Sequence, residues 1–222
     1  VELEGRGESK RSLLAERPRE LGPEERLRVR AKTGRPFATV ELEVVDADDR
    51  AIPWDERSVG EIRVRGPTVS PGYWQREDET KAAFRGGWLY TGDLAVVDAE
   101  GYLTIVDRKK DLILSGGENV YSTEVEHVLY EHPSILEAAA FGLPDPEWGE
   151  IVCAAAVPRP GASVDLEELA THCRERLARY KCPRHLFLLE ELPKTGSGKI
   201  RKHELRVRFA KSTSVTNRDA SA

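Results

Sequence analysis

Methionine is absent from this sequence of 222 residues, and the chain begins at Val1. A processed start, or a piece of a longer polypeptide, is therefore expected. No apolar run approaches the ~18 residues that a membrane span needs. No basic-then-apolar opening resembles a secretion signal. Cysteine is scarce: Cys153, Cys173 and Cys182 are odd in number and widely spaced, with no CxxC pair. That argues against a disulfide framework or a zinc site and suits a reducing cytosol, so a cytoplasmic location is expected. The histidines His127, His132, His172, His185 and His203 form no HxxxH or HExxH pattern, so the sequence offers no metal centre. Positive charge is not in excess either. The net charge of −5 speaks against general nucleic-acid binding.

What is present reads as several stretches of different texture. About half of residues 1–30 are charged, in mixed sign, which suits a solvated helix or loose segment, with a helical turn or two over 24–30. Residues 1–32 form a charged segment with no assignment. From Gly34 the pattern alternates, predicting strands over 39–45 and 61–65. Residues 94–97 and 102–106, around Asp98-Ala-Glu-Gly101, predict a hairpin. Residues 33–107 thus read as a small β module. Beyond it, Thr123-x-x-Glu126 predicts a capping box before a helix that ends at His132-Pro133. Two Ala-rich apolar runs, 135–141 and 151–157, have strand length. Asp165-x-x-Glu168 opens a helix with Leu166, Leu169, Cys173 and Leu177 on one face. A short strand over 185–189 and a basic amphipathic helix over 201–210 follow. Residues 108–210 read as a compact α+β domain, and 211–222 as a disordered polar tail.

Four segments could carry chemistry. Leu192-Pro-Lys-Thr-Gly-Ser-Gly-Lys-Ile-Arg-Lys202 surrounds two glycines with four basic residues. It predicts a mobile loop whose exposed backbone N–H groups suit a phosphate or carboxylate, and equally an ordinary basic loop. It is not a P-loop, because Pro193 and Ile200 stand where that motif needs Gly and Ser or Thr. Tyr90-Thr-Gly-Asp-Leu94 places a carboxylate after a glycine, which suits a ribose diol and also a plain turn. Val106-Asp-Arg-Lys-Lys-Asp-Leu-Ile113 is a charged junction, a solvated linker or a hinge. Leu114-Ser-Gly-Gly-Glu-Asn-Val-Tyr121 lets a narrow ligand approach closely, or simply makes a tight strand-to-helix turn.

Taken in order, these segments resemble the AMP-forming acyl-CoA synthetases of the adenylate-forming superfamily, which also holds luciferases and peptide-synthetase adenylation domains. Thr33-Gly-Arg-Pro36, Gly60-Glu-Ile-Arg-Val-Arg-Gly66, Pro71-Gly-Tyr-Trp74, Gly87-Trp88 and Phe141-Gly-Leu-Pro-Asp-Pro-Glu-Trp-Gly149 add to the match, which spans about residues 33–206. The resemblance implies an α+β fold. A β-barrel-like module ends a large N-terminal domain, and a C-terminal lid that rotates between two half-reactions follows it. It implies ATP with Mg²⁺ and CoA as co-substrates, and a carboxylic-acid substrate. By the resemblance, Lys199 is the adenylation lysine, Asp93 and Arg108 contact the AMP ribose, and Lys110 is the hinge. Ser115, Gly116 and Gly117 border the pantetheine tunnel, and Trp148 stands near the CoA entrance. Tyr180 and Lys181 lie where some relatives touch the CoA nucleotide, although Cys182 replaces a residue that is often basic. The S-G-G-E-N-V form favours a CoA ligase over an amino-acid-activating module, and the S-T-E-V-E ending looks most like bacterial fatty-acyl ligases.

The family's phosphate-binding P-K-G loop, acyl pocket and adenine-stacking aromatic find no match here. The expectation is therefore the C-terminal part of a ligase, inactive alone, whose N-terminal domain and Mg²⁺ ligands lie outside this chain, in cis or in trans. Alternatives are a stand-alone lid acting as a binding or regulatory module, or part of an adenylating module that loads a carrier protein.

Overall fold

The computed structural model describes residues 22–210. The expectations for the first 21 residues and for the tail from 211 lie outside the described residues. Two compact units cluster separately: one ends at Ile105 apart from three residues of a shared strand, and the other takes Gly92–Leu94 and everything from Val106.

The first unit opens with helix α1 (Pro23–Ala31), which has proline in its first turn, acidic residues early and basic residues late, and buries nothing. That is a helix held by its ends and its dipole rather than by packing. Strands β1 (Glu41–Val45) and β2 (Gly60–Arg65) pair antiparallel from Glu41↔Arg65 to Val45↔Glu61. Helix α2 (Glu77–Ala83) and the two-residue strand β3 (Phe84–Arg85), neither of them expected, lead into β4 (Trp88–Val97), and β5 (Leu103–Arg108) follows. The strand order is the open one, β1–β2–β4–β3, with β5 also on β4, and no barrel-closing pair occurs among the described strands. One face of this sheet buries Val44, Ile62, Ala95, Val97 and Leu103. Asp98 holds the β4–β5 turn by accepting from the N–H groups of Glu100 and Tyr102.

The second unit is a sheet covered on both sides. Strands β6 (Ile113–Ser115) and β7 (Glu118–Val120) form a hairpin, and helix α3 (Ser122–Tyr130) follows. Strands β8 (Ile135–Asp145) and β9 (Gly149–Pro158) make the long antiparallel centre. Helix α4 (Leu166–Arg174), strand β10 (His185–Leu188) and helix α5 (Lys202–Phe209) complete it, with β10 parallel to β9. Alternate residues explain the unbroken apolar runs. Ala138, Ala140, Val152, Ala154 and Ala156 face Val125, Leu129, Leu169 and Cys173 of α3 and α4. Ala139, Phe141, Leu143, Ile151, Cys153 and Ala155 face Leu205 of α5 and Leu192. A strand buried on both faces has no polar face to show. Phe187 and Phe209 stack at 3.9 Å between centroids, which seats α5.

Three local expectations need correction. The N-cap of α3 is Tyr121, with no side-chain cap. Thr123 donates its hydroxyl to the Val106 carbonyl, and Glu126 turns to tertiary partners, so the capping box does not form. Leu166 is exposed, while Leu169 and Cys173 are buried and Leu177 lies past the end of α4. Helix α5 is not amphipathic in the expected sense: Leu205 is its one buried residue, and Val207 is exposed. The Asp165 cap does form, accepting from the Glu168 N–H at 2.8 Å. The three cysteines are buried free thiols; burial pushes Cys153 up to about 12 and Cys173 to about 11, so both stay protonated.

Candidate active-site surface

The basic loop is a closed turn. Leu192 is buried and Ile200 packs beside it, and Lys194 and Ile200 form an antiparallel bridge. Within the loop, Thr195 N–H donates to the Lys199 carbonyl, Gly198 N–H to the Thr195 carbonyl, and Lys199 N–H to Thr195 Oγ1. The expectation of exposed backbone donors therefore fails at residues 198 and 199, whose amides are engaged inside the turn. Gly198 sits at φ +83°, where a side chain is strained. Three of the four basic side chains are paired: Lys194 with Glu137 at 2.5 Å, Arg201 with Glu204 at 2.7 Å, and Lys202 with Glu126 at 2.8 Å. Lys199 is exposed and carries no ion pair among the described residues.

Asp93 is not in a turn. It lies inside the ten-residue strand β4, just after Gly92 at φ +73°. A glycine in that conformation interrupts the pleat and re-aims the residue that follows. Asp93 Oδ1 meets Arg108 Nε at 2.9 Å, with 29% and 49% of the two side chains exposed. A partly open carboxylate beside a guanidinium suits a vicinal diol, since one accepts and the other donates. Lys110 lies in a single 3₁₀ turn, Lys109–Asp111, with its side chain exposed. Its carbonyl accepts from Arg206 Nη1 at 2.8 Å.

Ser115-Gly-Gly-Glu118 is the β6–β7 turn rather than a strand-to-helix turn. Gly116 and Gly117 have φ of +61° and +84°, the pair of positive values that a type I′ hairpin requires. Ser115 is buried. Asp145 accepts from the N–H groups of Glu147 and Trp148 and so shapes the β8–β9 turn that presents Trp148. Gly116 N–H donates to the Trp148 carbonyl, and a Cβ at Gly116 would sit 2.8 Å from the indole. The structure thus brings Gly116 and Trp148 together, as it does Asp93 and Arg108. Lys199 shares no hydrogen bond or ion pair with either group. Lys181 pairs with Glu124 at 2.7 Å, and Cys182 is buried. Sequence reasoning missed Arg184, whose guanidinium lies 4.6 Å over the Trp148 ring. It missed the buried partners of Lys202 too; only the position of Lys202, three residues after Lys199, hinted at a role. No group of three or more His, Cys, Asp or Glu that could hold a metal occurs among the described residues, and no described helix is long and apolar enough to cross a membrane.

Beside this doubly covered sheet and its basic loop, residues 124–199 match the model of the AMP-binding enzyme C-terminal domain. Relatives that the chain matches over about a third of their length are acyl-CoA synthetases and CoA ligases. The chain is 45% identical over 176 residues to a feruloyl-CoA synthase of Amycolatopsis sp., covering 79% of this chain and 35% of that one. A solved o-succinylbenzoate CoA synthetase from Bacillus subtilis, in complex with its acyl-adenylate intermediate, superposes with a TM-score of 0.74 at 40% identity, over 84% of this chain and 37% of that one. An amide bond synthetase from Marinactinospora thermotolerans gives 0.72 at 40% identity, over 82% and 37%. The chain spans about a third of the length of the curated relatives it matches.

Proposed function

We propose that residues 33–107 end the N-terminal domain of an AMP-forming acid–CoA ligase and that residues 108–210 are its lid. In the first half-reaction a carboxylate oxygen attacks the α-phosphorus of ATP, the α–β anhydride bond breaks, and pyrophosphate leaves. In the second, the CoA sulfur attacks the acyl carbon of the adenylate, AMP leaves with the bonding pair, and the thiol proton passes to solvent. Lys199 acts in the first step, balancing the charge that builds between two anions that otherwise repel. Asp93 and Arg108 take the ribose hydroxyls. Ser115, Gly116, Gly117 and Trp148 flank CoA, and Lys110 is the pivot. The Mg²⁺ that accompanies ATP, the phosphate-binding loop and the acyl pocket belong to an N-terminal domain outside this chain, and the reaction runs in the cytoplasm. The observation that carries this reading is Lys199 itself, the one cation of its loop with no carboxylate partner among the described residues.

The acid stays open. Relatives named for ferulate and 2-succinylbenzoate match this chain at 45% and 41% identity, so the match does not single out fatty acids. A second reading, an acceptor other than free CoA, draws support from the amide bond synthetase. The test is the full-length enzyme with ATP, Mg²⁺, CoA and a panel of carboxylic acids. Acid-dependent release of pyrophosphate and AMP with a CoA thioester is expected. Pyrophosphate release with transfer only to an amine or a carrier protein selects the second reading, and none at all overturns both. Lys110→Pro fixes the pivot's φ and restricts Lys109. It should abolish thioester formation while acid-dependent adenylation persists; loss of both steps alike would remove the pivot from Lys110.

A further inference from the structure

Lys202 opens α5 three residues after Lys199, and its side chain is only 12% exposed. Its ammonium contacts Glu126 Oε1 at 2.8 Å and donates to Ser122 Oγ at 2.6 Å. Ser122 is fully buried, and both its N–H and its hydroxyl donate to Asp107 Oδ2, at 2.5 and 2.8 Å. Asp107 is 3% exposed, and its other oxygen accepts the Arg108 N–H at 2.7 Å. Glu126 also accepts the Ala140 N–H. One turn further along α5, Arg206 reaches the carbonyl of Lys110. Positions i and i+4 share a helix face, so α5 is linked to the segment 107–110 at two points, directly through Arg206 and by way of Ser122 through Lys202.

A buried ion pair is weak evidence for stability, because desolvation offsets much of the attraction. Its directional bonds do fix geometry. Burial pushes the Glu126 carboxyl up from its usual range, against the pull of Lys202, so this network sits where the surroundings do not favour charge. We infer, on the functional reading above, that Lys202 is a positioning residue for adenylation. It ties the turn that carries Lys199 to the segment that carries Arg108 and Lys110, so that the adenylation cation and a ribose contact keep a fixed separation in the lid orientation that forms the adenylate.

The test uses the full-length ligase with Lys202→Met, Lys202→Arg, Lys199→Ala and the double variant Lys202→Met, Glu126→Met. The double variant removes both charges of the Lys202–Glu126 pair, so Glu126 is not left as an unpaired carboxylate, and Asp107 keeps its donors from Ser122 and the Arg108 N–H. Acid-dependent ATP–pyrophosphate exchange reads adenylation, and thioester formation from supplied acyl-adenylate reads the second step. In the double variant, Tm should stay near that of the parent and thioester formation should persist. The kcat for exchange should fall on the order of 10²-fold with little change in KM for ATP, and Lys202→Arg should retain most of the activity. Exchange at the parental rate in the double variant, or equal loss in both half-reactions, overturns the inference. If Lys199→Ala lowers exchange while the Lys202 variants do not, only this inference falls. If the parent shows no acid-dependent exchange, the functional reading falls and takes the inference with it.

Discussion

The two faces of the β8–β9 sheet are built for different work. One face packs α3 and α4 through Val125, Leu129, Leu169 and Cys173, with the His132–His172 ring contact among them. The other packs part of the candidate site: Trp148 and Ile200 lie on it, and α5 docks there through Leu205 and Phe209. The first face is held by interlocked apolar side chains. The second has its own apolar cluster, with Phe141, Phe187 and Phe209 stacked in it, and the turns beside it carry charge. A unit divided in this way can change chemistry on one face without losing the fold that the other face secures.

Leu169→Ala breaks the structural face. Leu169 is fully buried, so about 2–5 kcal/mol of stability should be lost, read by denaturant unfolding. The Lys199 turn should keep its geometry in the folded fraction; a selective loss of adenylation per folded molecule would blur the two faces. The next effect sharpens the comparison within the functional face. Gly116→Ala places a side chain at φ +61° and against the Trp148 indole, which should cost about 1–3 kcal/mol. Gly196→Ala meets open space at no positive φ and should shift stability by under about 0.5 kcal/mol. Equal Tm changes in the two variants would show that glycine plays one role in both turns.

The smallest effect is acid sensitivity. Burial lowers the pKa of His132; His172 adds to the shift and Glu168 opposes it. The unfolded chain then binds the proton more readily than the folded one. Stability present above the ordinary histidine value of 6.5 should decline as pH falls through the lowered folded value. Tm followed from pH 7 downward should show this decline, flattened in His132→Gln; identical slopes in both would place the acid sensitivity elsewhere.

The long elements were legible in sequence because their patterns are local. The two Ala-rich runs are β8 and β9, and Asp165 caps α4 as its spacing predicts. What failed had non-local partners. Thr123 and Glu126 have the spacing of a capping box, yet one hydroxyl reaches Val106 and one carboxylate reaches Lys202 and Ala140, 14 to 76 positions along the chain. Tyr90-Thr-Gly-Asp looks like a turn because a glycine inside a strand cannot be told from a glycine between strands without the pairing. The likeness to AMP-binding enzymes was legible as an order of motifs. Which of Lys194, Lys199, Arg201 and Lys202 stays unpaired was not, because Glu137 and Glu126 are distant in sequence and meet the loop only when the sheet forms.

The central claim is that the unpaired Lys199 is the adenylation cation. In the full-length ligase, Lys199→Ala should lower acid-dependent ATP–pyrophosphate exchange by roughly 10²–10³-fold, leaving Tm and thioester formation from supplied acyl-adenylate near their parental values. Equal loss in both half-reactions, or exchange at the parental rate, would contradict the account.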